Sequence, residues 1–239
     1  MNQKKFDLEK EEDVGIFKIL NSGLEEAFLR DGSTRVLSRE VEPVLPGGYL
    51  FFDTETTGLP SRWNAPQSDF DNWPRIVQIA WVFCDLGGKE ISQSNFIIRP
   101  EGFSIPREAS LIHGITTERA VREGVSLAGA LASFSQAIDQ AACIIAHNIS
   151  FDEMVVGAEF LRNNMPDNIA SKRRICTKEV STNFCAIPRA NGFGGYKWPK
   201  LSELHVKLFG AEFEDSHSAL NDVRATARCF WEMRRRGII

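Results

Sequence analysis

The sequence has no long hydrophobic run, and none of its apolar stretches approaches the ~20 residues that a helix needs to cross a bilayer. Its first residues, Met1 to Glu12, are polar and charged, so we expect no secretory signal there. It also has no basic excess, because 28 Lys and Arg against 32 Asp and Glu leave a formal net charge of −4. This acidic balance excludes a simple basic protein that binds duplex DNA. Any phosphate contacts of this chain would have to come from local basic patches or from bound cations.

Cysteines are few and show no pairing pattern. The five cysteines form no Cys-x-x-Cys pair, and their odd number argues against a disulfide framework and a zinc ribbon. We therefore predict reduced thiols in a cytoplasmic protein. Internal repeats and long low-complexity tracts are also lacking, and 239 residues that are 43% hydrophobic are enough to bury the core of one large domain.

Residues 1–46 differ from the rest of the chain. Charges crowd residues 4–13, and residues rich in glycine and proline follow from Gly32 to Gly48. Between them, four apolar residues recur at helical spacing: Phe17, Leu20, Leu24 and Phe28. We predict an N-terminal helical arm over residues 1–46, which either packs on the main body or docks a partner.

The main body, residues 47–239, alternates short apolar runs with amphipathic stretches. The runs predicted as strands are 49–52, 75–83, 95–98 and 143–146, with a hairpin turn at Gly87-Gly88. The stretches predicted as helices are 116–139, 151–163 and 217–236. Three early strands followed by alternating helix and strand favour an α/β fold with a mixed central sheet flanked by helices.

Two acids follow the first predicted strand of this body. Asp53 and Glu55 come directly after residues 49–52 and are two positions apart, so on an extended chain their side chains point to the same side. In open α/β sheets, functional sites form at the carboxyl ends of strands. The alternative is a solvated loop with two exposed acids, which Gly58 and Pro60 also suit.

Two further acids lie on predicted helices. Asp152 falls in the first turn after strand 143–146, where Ser150 and Glu153 form a capping-box pattern; the alternative role is helix-dipole stabilisation. Asp222 falls inside the apolar stripe of the last helix, where a lone carboxylate is costly unless it is paired or coordinated. The alternative for Asp222 is a buried ion pair with an arginine.

A single explanation covers all four acids. Two carboxylates ~4 Å apart repel by ~4 kcal/mol at an effective dielectric of ~20, so four ionised acids would not converge without cations. Ligands that are all carboxylates suit Mg²⁺ or Mn²⁺ better than zinc. His217 lies five residues before Asp222, and a neutral histidine there suits a general base, with helix capping or core packing as its alternatives.

Three motifs around these residues, in this order, resemble those of the DEDDh, or DnaQ-like, family of 3′–5′ exonucleases, which includes the proofreading epsilon subunit of bacterial DNA polymerase III. The first is Phe52-Asp53-Thr54-Glu55-Thr56-Thr57-Gly58-Leu59, and the second is Ala146-His147-Asn148-Ile149-Ser150-Phe151-Asp152. The third is His217-Ser218-Ala219-Leu220-Asn221-Asp222, and His113-Gly114-Ile115-Thr116 resembles a further family segment. The resemblance spans about Gly47 to Arg236.

The resemblance implies an RNase H-like fold over an exonuclease domain of residues 47–239, and metal-dependent hydrolysis from a 3′ end. Two divalent cations, Mg²⁺ or Mn²⁺, would be held by four acids: Asp53, Glu55, Asp152 and Asp222. His217 would deprotonate the attacking water. Residues implied near the terminal nucleotide are Thr56, Gly58, Leu59, His113 and Phe151.

Three functional hypotheses follow. The first is an exonuclease that acts on the 3′ end of single-stranded DNA in proofreading or repair, with a DNA polymerase or another replication or repair protein as partner and no membrane. The second keeps the chemistry but takes RNA or short oligoribonucleotides. In the third, the chain is mainly a polymerase-associated subunit or adaptor.

Two aromatic-rich segments lie outside the motifs. Residues 60–74 form an insertion that holds Trp63, Phe70 and Trp73, and they suit either base stacking or packing on the body. Residues 188–200 combine basic and aromatic side chains around glycines, which suits either single-stranded nucleic acid or a surface loop.

Overall fold

The computed structural model describes residues 14–19, 24–29, 34–38, 47–190, 194–213 and 218–239. The chain divides into two compact units, Met1–Val44 and Leu45–Ile239, which we describe separately. Among the described residues, no helix is both long and apolar enough to cross a membrane.

The first unit contains a three-stranded antiparallel sheet with the order β1-β2-β3. Its strands are β1 (Val14–Ile19), β2 (Leu24–Leu29) and β3 (Thr34–Ser38). The predicted helical arm is therefore wrong in the described segments. The apolar residues that recur at helical spacing lie on two paired strands, Phe17 on β1 and Leu24 and Phe28 on β2. In this pairing, Ile16 lies opposite Phe28. The sequences Asn21-Ser22-Gly23 and Asp31-Gly32-Ser33, which favour turns, separate the strand-forming runs.

The second unit is built on a mixed five-stranded sheet with the order β6-β5-β4-β7-β8. Its strands are β4 (Gly48–Thr56), β5 (Ile76–Cys84), β6 (Glu90–Ile97), β7 (Ala141–Ala146) and β8 (Arg173–Cys176). β4, β5 and β6 pair antiparallel, whereas β7 pairs parallel with β4 and β8 parallel with β7. The predicted α/β class with a mixed central sheet is confirmed. β8 was not predicted, because its four residues begin with two arginines and lack the apolar run that marked the other strands.

Eight helices accompany this sheet in the described part of the second unit. They are α1 (Arg107–His113), α2 (Thr117–Glu123), α3 (Leu127–Gln140), α4 (Ile149–Arg162), α5 (Thr177–Val180), α6 (Thr182–Cys185), α7 (Leu201–Phe209) and α8 (Ala219–Arg235). The one helix predicted over 116–139 is two helices, because the chain straightens at Gly124. A Cβ at Gly124 would meet the Ala120 carbonyl oxygen at 2.3 Å and the Arg99 nitrogen at 2.6 Å, so only glycine fits.

Helices cover both faces of the sheet. On one face, the apolar stripe of α8, which includes Val223 and Phe230, packs on Phe51 of β4. On the other face, α3 places the ring of Phe134 at 5.2 Å from both Phe52 and Trp81. Each layer buries its apolar face against the central strands, and this packing fixes the positions of α8 and β4 relative to each other.

Two local predictions need correction. β4 extends to Thr56 rather than ending at residue 52, because β5 continues to pair with it as far as the Thr56–Ile76 pair. Asp53 and Glu55 therefore lie inside the strand. Helix α4 begins at Ile149, after Asn148 in the left-handed region at φ 85°, with no side-chain cap hydrogen bond. Ser150 is therefore inside the helix, and the predicted capping box does not form there.

A buried ion pair ties α4 to the start of β5. The side chain of Glu159 is completely buried, and its Oε1 accepts hydrogen bonds from Arg75 Nε at 2.8 Å and the Ile76 backbone nitrogen at 3.2 Å. Arg162 Nη1 lies 3.3 Å from the same oxygen. Removing one partner from such a pair leaves buried charge without compensation, which is strongly destabilising.

We expect Glu159→Ala to lower the free energy of unfolding by about 3 kcal/mol. Glu123→Ala is the control, because Glu123 also contacts two arginines, Arg119 and Arg122, but on an exposed surface. We expect little change for that variant because solvent screens exposed pairs. Urea unfolding of the three proteins measures both effects, and equal losses would contradict a special role for the buried pair.

Candidate active site

The candidate site forms where β4 extends beyond β7. The last pair between these two strands joins Phe51 to Ile145, so the residues from Asp53 onward lie past the parallel pairing. Alternate side chains of a strand share a face, so Asp53 and Glu55 lie on the same face as Phe51, the face that α8 covers. The strand thus delivers two carboxylates to the helix α8.

Three half-buried carboxylates meet at this point. Asp53, Glu55 and Asp222 each offer one oxygen atom, and these atoms lie within 4.8 Å of one another. Asp222 reaches the strand because α8 packs against it through the neighbouring Val223. The start of α8 is also fixed, since the Ala219 backbone nitrogen donates to Oε1 of the β5 residue Gln78 at 3.3 Å.

The fourth acid, Asp152, is held beside the cluster by β4. Asp152 is 3% exposed and lies in the first turn of α4, as predicted. Its Oδ1 accepts two hydrogen bonds from Thr54, one from the backbone nitrogen at 3.1 Å and one from the hydroxyl at 2.7 Å. The backbone amide of Thr54 is free to donate to Asp152 because the pairing of β4 with β7 ends at Phe51.

The carboxylates perturb one another. Burial, and then the charges of Asp152, Asp222 and Glu55, raise the pKa of Asp53 well above its usual range. Burial, and then Asp222 and Asp152, raise the pKa of Glu55 to about 8. Burial also raises the pKa of Asp152 to about 7, although the hydrogen bonds from Thr54 and the charge of Lys178 oppose this rise.

These shifts describe a site that holds excess negative charge. Without cations, the protein keeps protons on carboxyl groups that would be ionised in water at neutral pH. A hard divalent cation relieves the same repulsion, and the donor set consists of carboxylate oxygens, which Mg²⁺ and Mn²⁺ accept. The acidic cluster therefore fits a divalent metal ion.

His217 lies outside the described residues. Its predicted position beside Asp222, and its role as a base, therefore stay predictions. The described part of this motif, from residue 218 onward, leads into α8 and carries Asp222 on the first turn of the helix.

The residues predicted near the terminal nucleotide fall around the same end of β4. Thr56 is buried, and its hydroxyl donates to the Gly58 carbonyl oxygen at 2.7 Å. Leu59 follows with 73% of its surface exposed. His113 is buried at the end of α1; burial lowers its pKa, and the nearby Thr56 backbone partly offsets this effect. Phe151 is half-buried and directly precedes Asp152.

Two residues at this site were missed by reasoning from the sequence. Thr54 positions Asp152, and the only signal for it was its place between two acids of the first motif. Lys178, at the start of α5, donates a hydrogen bond to Asn148 Oδ1 and lowers the pKa of Asp152 through its charge. No sequence pattern marked Lys178, because it lies 26 residues from Asp152 along the chain and comes close only through β8 and α5.

Comparison with known proteins identifies the family. The family model described as Exonuclease (RNase_T) matches residues 50–230. The DNA polymerase III PolC-type of Streptococcus suis is 29% identical over 204 residues, which are 85% of this chain and 12% of that protein. The PolC-type polymerase of Pediococcus pentosaceus is 26% identical over 204 residues, with the same two coverages. This chain therefore spans about an eighth of the length of the curated relatives it matches.

Solved structures share the fold. E. coli Exonuclease I in complex with a dT13 oligonucleotide has a TM-score of 0.63 at 26% identity, over 80% of this chain and 41% of that one. Exonuclease I in complex with a dA16 oligonucleotide has a TM-score of 0.63 at 23% identity, over the same shares, and that likeness concerns the fold alone. The predicted RNase H-like fold is confirmed. The chain belongs to the exonuclease family, within the DEDDh, or DnaQ-like, group of 3′–5′ exonucleases.

Proposed function

We propose that residues 47–239 form an exonuclease domain that hydrolyses phosphodiester bonds from the 3′ end of single-stranded DNA. The observation that carries this proposal is the cluster of Asp53, Glu55 and Asp222, with Asp152 held beside it, at the end of the central strand. The likeness to Exonuclease I in complex with a dT13 oligonucleotide supports single-stranded DNA as the substrate.

We propose that the four carboxylates hold two divalent cations, Mg²⁺ or Mn²⁺. When bound, such ions neutralise the carboxylates, lower the pKa of a water molecule and stabilise the charge that develops on the leaving oxygen. Asp53, Glu55 and Asp222 already converge to within the reach of one ion. Asp152 completes the set from α4, and the two hydrogen bonds from Thr54 fix the direction of its carboxylate.

The remaining motif residues are assigned roles around this cluster. His217 takes the proton of the attacking water as a general base, for which a neutral imidazole with an ordinary pKa of about 6.5 is suited. Leu59 and Phe151 contact the terminal nucleotide, and their exposure beside the acids supports this role. Thr56 and Gly58 offer backbone contacts, and His113 lies behind Thr56 on the same path.

We further propose that the domain works beside a DNA polymerase or a repair protein in the cytoplasm. The similarity to part of the PolC-type polymerases supports a proofreading role. All five cysteines are buried and unpaired, as expected in a reducing compartment. RNA as the preferred substrate is the competing reading, and the experiment below separates the two sugars.

Hydrolysis of single-stranded DNA and RNA of equal sequence, both labelled at the 5′ end, tests the function. With Mg²⁺ or Mn²⁺ we expect a ladder that shortens from the 3′ end, faster on DNA, and no ladder with EDTA. Asp222→Ala should abolish it, because the variant loses a carboxylate from the cluster while the stripe of α8 stays apolar. Turnover like that of the wild type in Asp222→Ala would refute the site.

His217→Ala is the companion variant. We expect a severe loss of turnover but nearly unchanged Mn²⁺ binding, measured as the metal-induced rise in melting temperature. Loss of metal affinity as large as in Asp53→Ala would instead make His217 a ligand. If the wild type degrades RNA faster than DNA in the hydrolysis experiment, RNA and not single-stranded DNA is the preferred substrate.

Thr54→Val should reduce turnover by about 10- to 100-fold, because the hydroxyl that holds Asp152 Oδ1 is lost while the residue shape is kept. Thr54→Ser, which keeps the hydroxyl, is the matched control and should retain most of the activity. Steady-state hydrolysis of the labelled DNA measures both variants. Equal activities in the valine and serine variants would show that the hydroxyl does not position Asp152.

In EDTA, the free energy of unfolding should fall as the pH rises from about 4.5 to about 8. Glu55 ionises near 4.5 when unfolded but near 8 in the folded protein, so the folded state binds more protons in this window. Asp152 acts in the same direction between 3.8 and about 7. Urea unfolding at several pH values measures the slope, and saturating Mn²⁺ should restore stability at the alkaline end. A slope that Glu55→Gln leaves unchanged would contradict this assignment.

A further inference from the structure

Two exposed tryptophans lie outside the family motifs, and each is linked to the second motif. Trp63, in the insertion 60–74, is 58% exposed, and Trp198, in the segment 188–200, is 62% exposed. Large aromatic rings normally bury most of their surface. Trp63 contacts Phe151, and Trp198 is linked to Asn148 through Lys178, so both rings connect to the short segment that leads to Asp152.

The insertion holds Trp63 against Phe151. The two ring centroids are 5.9 Å apart, with the planes tilted by 53°. The loop is fixed internally, because Asn72 Oδ1 accepts from the Arg62 backbone nitrogen at 2.8 Å and Asn72 Nδ2 donates to the Arg62 carbonyl oxygen at 3.0 Å. The buried Trp73 adds a hydrogen bond from its Nε1 to the Pro66 carbonyl oxygen at 2.9 Å. The exposed ring is thus supported by a folded loop.

Lys178 holds Trp198 near the same segment. The Lys178 ammonium lies 4.3 Å from the centroid of the Trp198 ring, within the range of a cation–π contact. The same ammonium donates a hydrogen bond to Asn148 Oδ1. Lys178 therefore links the exposed indole to Asn148, the residue that precedes α4.

His147 fixes the backbone next to Trp198. Its Nε2 lies 3.1 Å from the Pro199 carbonyl oxygen, and its Nδ1 lies 3.0 Å from the Thr177 hydroxyl. A carbonyl can only accept, so Nε2 carries the proton in this contact. Burial lowers the pKa of His147 to about 4, which keeps the ring neutral, and the contact with the carbonyl selects the tautomer. Trp198 is thus placed by Lys178 through the ring contact and by His147 through the adjacent Pro199.

We propose that Trp63 and Trp198 stack on the bases of a single strand upstream of its 3′-terminal nucleotide, with Lys178 supplying positive charge for the backbone. This inference rests on the proposed function. Bases of a single strand expose apolar faces that stack on aromatic rings regardless of sequence. A cation beside the strand also offsets the repulsion from a chain with a net charge of −4 and from the acids of the site.

Two substrates distinguish binding of the upstream bases from the hydrolysis step itself. One is a short oligodeoxythymidylate, and the other is the p-nitrophenyl ester of thymidine 5′-monophosphate, which has no upstream nucleotide. For Trp63→Ala and Trp198→Ala we expect KM for the oligonucleotide to rise about tenfold each, as expected for the loss of one stacked base. Hydrolysis of the ester should be unchanged. Trp63→Phe and Trp198→Phe keep a stacking ring and should recover most of the affinity.

Leu86→Ala is the control, because Leu86 is a similarly exposed apolar residue, at 65%, in the turn between β5 and β6. Its KM should equal that of the wild type, and melting temperatures should show that all variants fold. Unchanged oligonucleotide KM in both tryptophan-to-alanine variants would overturn the inference and leave the two rings as a surface for a protein partner. Loss of ester hydrolysis in these variants would overturn it too. Failure of the wild type to cleave either substrate would instead refute the proposed function.

Discussion

Repulsion between carboxylates is the constraint on which the second unit depends. Asp53, Glu55 and Asp222 bring oxygen atoms within 4.8 Å of one another. Each such pair costs ~4 kcal/mol at ~4 Å when both groups are ionised at an effective dielectric of ~20. The fold tolerates this because the packing of α8 on β4 lies directly behind the acids, through Phe51 and Phe230. The apolar stripe of α8 therefore stabilises the arrangement that the charges oppose.

The geometry of the sheet places the fourth acid. β4 is longer than its parallel pairing with β7, so a backbone amide that would otherwise bond within the sheet is directed at α4. Asp152 accepts one hydrogen bond from that amide and one from the hydroxyl of the same residue, Thr54. One strand thus carries two acids on the face covered by α8 and positions another acid from α4. The offset between β4 and β7 places Asp152, whereas the packing of α8 places Asp222.

The second motif also organises segments that lie outside the family pattern. His147 contacts Pro199, Asn148 contacts Lys178, Phe151 contacts Trp63, and Asp152 contacts Thr54. These side chains point in different directions because Asn148 adopts a left-handed conformation and a helix begins directly after it. The active-site segment and the two aromatic loops are therefore coupled through a few consecutive residues, and each contact has a separate physical basis.

The sequence by itself determined the α/β class and the places of Asp152 and Asp222 on helices, because periodicity and spacing are local properties. It singled out Asp53 and Glu55 but ended their strand too early, before residue 53. It misled over the described segments between residues 14 and 38, where apolar residues counted across two paired strands imitated a helix, and it did not indicate β8 or Lys178. Tertiary structure alone decided how closely the acids meet, and that Thr54 holds Asp152 across 98 residues of chain. Such contacts depend on how strands and helices pack, and no local pattern encodes a distance between residues so far apart in sequence.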